Sequence, residues 1–186
     1  MQSVHEHCFF GFGTNSRVFK KKYRSLPRMT STKKPVRIIL CDLTYDTLIL
    51  VSDTMPINIG FIGAHTKQKF GKDISLSLIK YPQSAIEEIK NNPPDIIACS
   101  NYSWNSNLSE YILSLAKKAN PNVITVQGGT NFPHEDEQQK EYLISRPNTD
   151  IHILFEGEKS FCDIAQRAFD SNWDRNQIFN SPIDGT

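Results

Sequence analysis

The stretch NVITVQGGTNFP, residues 122–133, decides the fold. Val123, Ile124, Thr125 and Val126 form a short run rich in apolar and β-branched residues, which suits a strand buried on both faces. Directly after it stand Gly128 and Gly129, two of only 9 glycines in 186 residues. A glycine pair permits positive φ and close approach of another body to the main chain. It therefore marks either a sharp strand-to-helix turn or a ligand pressed against the backbone, and the stretch by itself leaves both open.

Moving outward, the same alternation of strand and helix repeats on either side. VRIILCD (36–42), DISLSLIKY (73–81), PDIIACS (94–100) and TDIHILF (149–155) read as the other four strands. INIGFIGAHTKQKFG (57–71) follows Pro56 and ends at Gly71, which are helix boundary signals. PQSAIEEIKNN (82–92) and NSNLSEYILSLAKKAN (105–120) are further helices, the latter with Asn105 or Ser106 as cap and Lys117 and Lys118 at its negative end. EDEQQKEYLISR (135–146) and EKSFCDIAQRAFD (158–170) complete the series. Five strands joined by crossover helices predict a Rossmann-like, doubly wound, five-stranded parallel sheet with helices on both faces, spanning residues 35–171. In such sheets ligands sit beyond the carboxyl ends of the strands. The segments to search are thus 42–46, 100–104, 127–131 and 155–158.

Charge is uneven. Residues 1–28 hold six Lys and Arg against Glu6 alone, while the rest of the chain carries four more acidic than basic residues. A nucleic-acid footprint on the folded part is therefore not expected. Residues 1–34 read as a basic, disordered extension, an interaction arm or a targeting peptide, with Met29 as an alternative true start. No apolar run approaches the roughly 20 residues that cross a bilayer, so no membrane partner is expected. Cys8, Cys41, Cys99 and Cys162 are widely spaced with no C-x-x-C pair, which argues against a zinc or cluster site and for reduced core thiols in a cytoplasmic setting.

The strand ends show little catalytic pattern. Ala98, Cys99 and Ser100 end one strand and Gly128 and Gly129 its neighbour, so bulk is missing where a slot could open. No phosphate-cradling loop is present, and His65, His134 and His152 have no nucleophile beside them. Glu156 and Glu158 flank Gly157 where carboxylates suit a helix start.

Four features in order resemble the cobalamin-binding N-terminal domain of radical S-adenosylmethionine enzymes: MPINIGFIGAHTKQKFGKD, PDIIACS, VQGGTNFP and TDIHILFEGEKSFCDIAQ. The resemblance implies a corrin ring laid over the carboxyl edge of the sheet and a nucleotide tail tucked into a cleft. It implies that Gln127, Gly128 and Gly129 line the tail cleft, that Ser100 offers it a hydroxyl, and that Asn101, Tyr102 and Thr130 touch the corrin rim or tail. Glu156, Gly157 and Glu158 would close the far side. Where the family's D-x-H-x-x-G loop supplies a cobalt ligand, this chain has DLTYDT, with Thr44 at the histidine place and Thr47 at the glycine place. The expected cobalamin is then base-off, with no axial histidine and Thr44 or Tyr45 near its lower face. Phe155 also replaces the first glycine of the family's G-E-G-E element.

The cluster-binding C-x-x-x-C-x-x-C loop is absent, and FNSPIDGT at the end resembles the linker into a radical barrel, so residues 172–186 are expected to be that linker. The implied whole is a module that binds rather than catalyses. S-adenosylmethionine and the iron-sulfur cluster would belong to a barrel in the same longer chain, with methyl transfer to an unactivated carbon or phosphorus as the expected reaction. Two alternatives stand beside this reading: a receiver-like or flavodoxin-like signalling domain, and a degenerate cobalamin domain that has lost its cofactor.

Overall fold

The computed structural model describes residues 34–45 and 55–186. The basic extension with Met29 and Cys8, and the Asp46 and Thr47 positions of the first loop, lie outside the described residues.

Five strands form one parallel sheet: β1 Val36–Cys41, β2 Ile74–Ile79, β3 Ile96–Ser100, β4 Ile124–Gly128 and β5 Ile151–Ile153. Their order is β2-β1-β3-β4-β5, so the chain winds one way from β1 to β2 and the other way from β3 onward. The expected doubly wound sheet is thus the one observed, with its switch point between β1 and β3.

Side chains alternate across the strands, and each face is sealed by its own helices. Ile38, Leu40, Ile96, Ile124 and Val126 pack with Phe161, Ile164, Ala165 and Ala168 of α5 (Gly157–Asp170) and with α1 (Ile57–Phe70). Ile39, Cys41, Ile97 and Cys99 pack with Ala85 and Ile89 of α2 (Pro82–Asn91) and with Ile112, Leu113 and Ala116 of α3 (Ser106–Ala119). Each fully buried Ile, Leu or Phe contributes about 1.5–3 kcal/mol, which is why runs apolar at every position become strands covered on both sides. In α1, a Cβ on Gly63 would stand 2.9 Å from Leu76 Cδ2, so glycine lets that helix settle closely onto β2.

Two aspartates fix where strands begin. Asp95 Oδ2 accepts a bond from the Arg37 amide, and Asp150 Oδ2 accepts from the Thr125 amide and hydroxyl. Each caps a main-chain donor at the start of the neighbouring strand. Asp150 also pairs with Lys117 and Arg175, tying α3 and the C-terminal segment to the sheet. Burial pushes the Asp150 carboxyl upward, but the bonds from Lys117 and Thr125 outweigh it and hold the group below the usual range.

One strand is shorter than expected, and the C-terminal segment takes a definite form. β5 spans three residues, not the seven of 149–155, because Asp150 acts as the clasp before it and Leu154 leaves the sheet to donate its amide to Gly185 O. Residues 172–186, expected as a linker, form a short helix α6 (Arg175–Ile178) and a strap. Ile178 and Ile183 enter the α5-side core, and Arg167 donates to Ile178 O, Ser181 O and Pro182 O, holding the strap on α5. Gly185 consequently lies beside the carboxyl end of β5.

Candidate functional site

The carboxyl edge gathers the sequence-predicted residues around the switch point. Ser100 and Gly128 stand opposite each other in register on β3 and β4, so two small residues do adjoin there. Ser100 is buried and its hydroxyl donates to Asp42 Oδ1 at 2.5 Å while accepting from Asn105 Nδ2 at 2.9 Å. Asn105 Nδ2 donates also to Leu43 O, and its Oδ1 accepts from the Tyr102 amide. Asn105 sits at the N-cap position of α3, as expected, yet its side chain makes no cap bond, because it knits the loops after β1 and β3 together. The Ser100 proton is already committed to Asp42, so this serine organises the edge before any ligand arrives.

Gly129 has φ 140°, and a Cβ there would stand 2.5 Å from Asn101 O and 3.1 Å from Asn101 N. The end of β4 therefore crosses the β3–α3 loop at a separation that only glycine allows. Gly128 is different: a Cβ would meet Ile153 Cβ at 3.4 Å, an ordinary contact. The glycine pair thus serves a close main-chain crossing at 129 and a shallow half-exposed position at 128.

Asn101 is fully buried and turned inward. Its Nδ2 donates to Asn131 O at 2.8 Å and to Tyr142 Oη at 3.0 Å, with His152 Nε2 at 3.2 Å. Tyr142 belongs to α4 (Asp136–Ile144), and its hydroxyl also meets Ser106 Oγ. The Phe132 ring stacks on His152 with centroids 3.8 Å apart, covering one face of the imidazole, and burial lowers the His152 pKa to about 4. Of the three histidines considered from sequence, His65 and His134 are exposed and His152 is part of the core. Gln127, next to His152 in register, is fully buried with both amide atoms unpartnered. Beside it Cys41 and Cys99 adjoin in register, and the hydrogen bond with Cys41 and burial push the Cys99 thiol well above its usual range.

The remaining predicted residues frame the edge. Thr44 is half-buried with its amide bonded to Lys80 O, and Tyr45 is exposed. Tyr102 is half-buried, Thr130 exposed and Phe155 84% exposed. Glu156 occupies the N-cap position of α5 without a side-chain cap bond, with Gly157 and Glu158 starting the helix. Residues given no role from sequence are Trp104, the last residue of the 100–104 segment, stacked on Tyr102 and 62% exposed, and Asn58, whose Nδ2 donates to Tyr102 Oη. A tryptophan in a Ser/Asn loop carries no periodic signal, which is why it was missed. Apart from this edge, a groove of about 450 Å³ runs beside β5 between α4 and the strap, walled by Phe132, Leu143, Leu154, Phe179 and Pro182.

Among the described residues no group of three or more His, Cys, Asp or Glu could hold a metal ion, and no helix is long and apolar enough to cross a membrane. Asp42, the acid a receiver domain would need, is engaged by Ser100, and Lys159 is turned to Asp163 and Asp184.

No family model matches the chain. Over 71 residues it is 32% identical to a protein named cobalamin-dependent radical SAM methyltransferase TokK from Streptomyces tokunonensis, covering 38% of this chain and 10% of that protein. Over a stretch of the same length it is 30% identical to a 2-(S-pantetheinyl)-carbapenam-3-carboxylate methyltransferase from Streptantibioticus cattleyicolor, again covering 38% of this chain and 10% of that one. The chain thus matches about a tenth of the length of these two relatives. Among solved structures it is similar to a novel cobalamin-binding protein from Desulfitobacterium hafniense DCB-2, at 12% identity and TM-score 0.48 over 71% of this chain and 58% of that one. It is similar also to a response regulator receiver protein from Sinorhizobium medicae WSM419, at 16% identity and TM-score 0.46 over 72% of this chain and 94% of that one. At TM-scores under 0.5 neither likeness favours one use of the fold over another.

Proposed function

We propose that this chain is a cobalamin-binding module working for a radical S-adenosylmethionine methyltransferase. The observation that carries the reading is the 71-residue match, at 32% identity, to a methyltransferase named for both cobalamin and radical chemistry. The edge geometry is compatible with it. Asp42, Ser100 and Asn105 satisfy one another, as do Asn101, Tyr142 and His152, so the polar side chains beneath the edge are mostly spent internally. Facing outward around the strand ends are three exposed rings, Tyr45, Trp104 and Phe155, together with the polar side chains of Ser103, Thr130 and Glu156. Such a surface suits the flat apolar face of a corrin better than a phosphate or a sugar.

Cobalamin, when bound, would supply a methyl carrier. Thr44 and Tyr45 would lie nearest its lower face, and a threonine hydroxyl is a poor ligand for cobalt beside a neutral imidazole, so these two residues would hold the ring by contact and not by a metal bond. Gln127, Gly128 and Gly129 with Thr130 would border the tail, where the Gln127 amide and the neighbouring His152 Nδ1 are buried and unpartnered. Glu156 to Glu158 would close the side toward α5. S-adenosylmethionine, the iron-sulfur cluster and the chemical step would belong to a barrel elsewhere in a longer chain, and methyl transfer to an unactivated carbon or phosphorus is the reaction we assign to the whole. Gly185, beside the carboxyl end of β5, would deliver any following chain to the cofactor face. A cytoplasmic setting belongs to the same proposal, resting on Cys41, Cys99 and Cys162 being free, buried thiols.

The test is a titration of the 186-residue chain with hydroxocobalamin, desalting, and visible spectroscopy, alongside Gly128→Ala. That methyl group meets only an ordinary contact in the free protein, so the fold should hold while cofactor affinity falls about tenfold or more through crowding of the tail. A folded chain that retains no corrinoid would refute the reading.

A further inference from the structure

The two edges of the sheet are managed differently. At β5 the strap covers the edge, with Gly185 O accepting from the Leu154 amide. At β2 no described strand pairs with the outer side, although β2 has six residues against three in β5. Edge strands of monomeric proteins are commonly blunted by charge, proline or a bulge. ISLSLI (74–79) contains neither charge nor proline, its register with β1 is unbroken, and Leu78 is 49% exposed.

The main chain shows which groups this edge offers. Ile79 O faces β1, because it accepts from the Asp42 amide. Main-chain groups of successive strand residues turn to opposite sides, so Ser75 and Ser77 also face β1 while Ile74, Leu76 and Leu78 face outward. Lys67 Nζ reaches that outer side and donates to Ile74 O. Among the described residues, Leu76 and Leu78 are left with both outward amide and outward carbonyl open.

We infer that this edge pairs with β2 of a second copy of the chain, antiparallel and centred on Ser77. In that register Leu76 of each copy stands opposite Leu78 of the other, and the open groups exchange main-chain bonds at both places. Both leucines lie under α1, where a Cβ on Gly63 would meet their Cδ2 atoms, so the four leucines share one face of the seam. A register centred on Leu76 would instead oppose Leu78 to Ile74, whose carbonyl Lys67 already holds. Asp73 stands at one end of β2 and Lys80 at the other, so each end of the seam sets an acid of one copy near a base of the other, with Lys72 one residue beyond. The Lys67 bond also marks the flank of α1 above the edge, where Ala64, one turn earlier, is small and exposed, so α1 of the second copy can lie alongside. The contact is isologous and closes at a dimer. It joins two five-stranded sheets into one and turns the two carboxyl edges in opposite directions.

The test is sedimentation equilibrium of the 186-residue chain and of Leu78→Lys under reducing conditions, with cross-linking of Ser77→Cys and Ser75→Cys by diamide, which takes two electrons and two protons per disulfide. The parent should be dimeric, and Leu78→Lys should raise the dimer dissociation constant about tenfold or more by placing a charge on the seam. The circular dichroism of that variant should match the parent, since the lysine stem can cover the same surface. Ser77→Cys should give a covalent dimer above the parent's background, because residues opposite each other in a non-hydrogen-bonded pair have Cα atoms about 4.5 Å apart, within disulfide reach. Ser75→Cys should not, because its two copies would stand about 13 Å apart along the strands. A chain that sediments as a monomer at every concentration overturns the proposal. So does a dimer that Leu78→Lys leaves intact, which would lie on another surface, and so does equal cross-linking at 75 and 77.

Discussion

Replacing Gly129 by alanine should destabilise the protein far more than a single methyl group ordinarily does. The added Cβ would stand 2.5 Å from Asn101 O, with Asn101 C and N both at 3.1 Å, and these are main-chain atoms that cannot swing aside. Asn101 is itself fixed, because its amide donates to Gly128 O at 2.7 Å, its carbonyl accepts from the Asn131 amide at 3.1 Å and its side chain is bound to Tyr142. Relief would have to break that crossing. The φ of 140° adds strain for any L side chain. Backbone strain of about 1–3 kcal/mol and overpacking of about 1–3 kcal/mol together give about 2–6 kcal/mol, or a fall in Tm of about 4–24 °C for a domain of this size. Thermal unfolding followed by circular dichroism at constant pH measures it. Gly60→Ala is the matched control: it sits in α1 with nothing within 4 Å of the new Cβ, and should stabilise by about 0.5–1 kcal/mol. A Gly129→Ala protein within about 0.5 kcal/mol of the parent would refute the argument that the β4 end and the β3–α3 loop cross at glycine-only distance.

Other outcomes follow from the buried ionisable groups and are checked by chemical denaturation across pH. His152 has its pKa lowered from 6.5 to about 4, so its contribution is fully present above the unfolded value and is lost as pH falls through that window, up to about 3 kcal/mol. His152→Phe should flatten the stability profile between those two values, and a profile as steep as the parent's would contradict it. Asp150, held below the usual carboxylate range, contributes stability above its unfolded pKa that is lost as pH falls further. Asp150→Asn should cost about 2–4 kcal/mol at neutral pH, because Lys117 and Arg175 lose their carboxylate partner, and should lessen the acid-side loss.

The strands could be read from sequence because a parallel strand covered on both faces must be apolar at nearly every position, as Ile38 to Cys41 and Ile96 to Cys99 are. The length of β5 could not. Leu154 and Phe155 continue its apolar run, but Leu154 is drawn away by Gly185, thirty-one residues further on, and Phe155 stands in solvent. Contacts so distant in sequence leave no periodic trace. The strap was hidden in the same way, since FNSPIDGT has the composition of a loop, and it joins the core through Ile183, beside Ile178 and Trp173 just before it. At the site, residue positions were legible but side-chain commitments were not. Ser100 and Asn101 do lie at the carboxyl edge, yet the first is bound to Asp42 and the second faces Tyr142 and His152. Asn105 has the residue type of a helix cap and the position of one, while its side chain serves two loops instead.

Those commitments bear directly on what the edge can recognise. A ligand gains little from a polar side chain that must first abandon a buried partner, because the abandoned group carries an unsatisfied cost of about 1–3 kcal/mol. Asp42, Ser100, Asn101 and Asn105 are all in that position, so they define the shape of the edge without being available to bond with its occupant. In the proposed site, discrimination would then fall to the main chain around Gly128 and to the exposed rings of Tyr45, Trp104 and Phe155. A rigid floor of this kind favours one large, flat, mostly apolar body over a small polar one: many weak contacts add across its face, while a small polar molecule would find few free partners. The same argument makes the receiver alternative costly, since metal or phosphoryl chemistry at Asp42 would have to take the carboxylate from Ser100 and leave that buried hydroxyl with a bond to find.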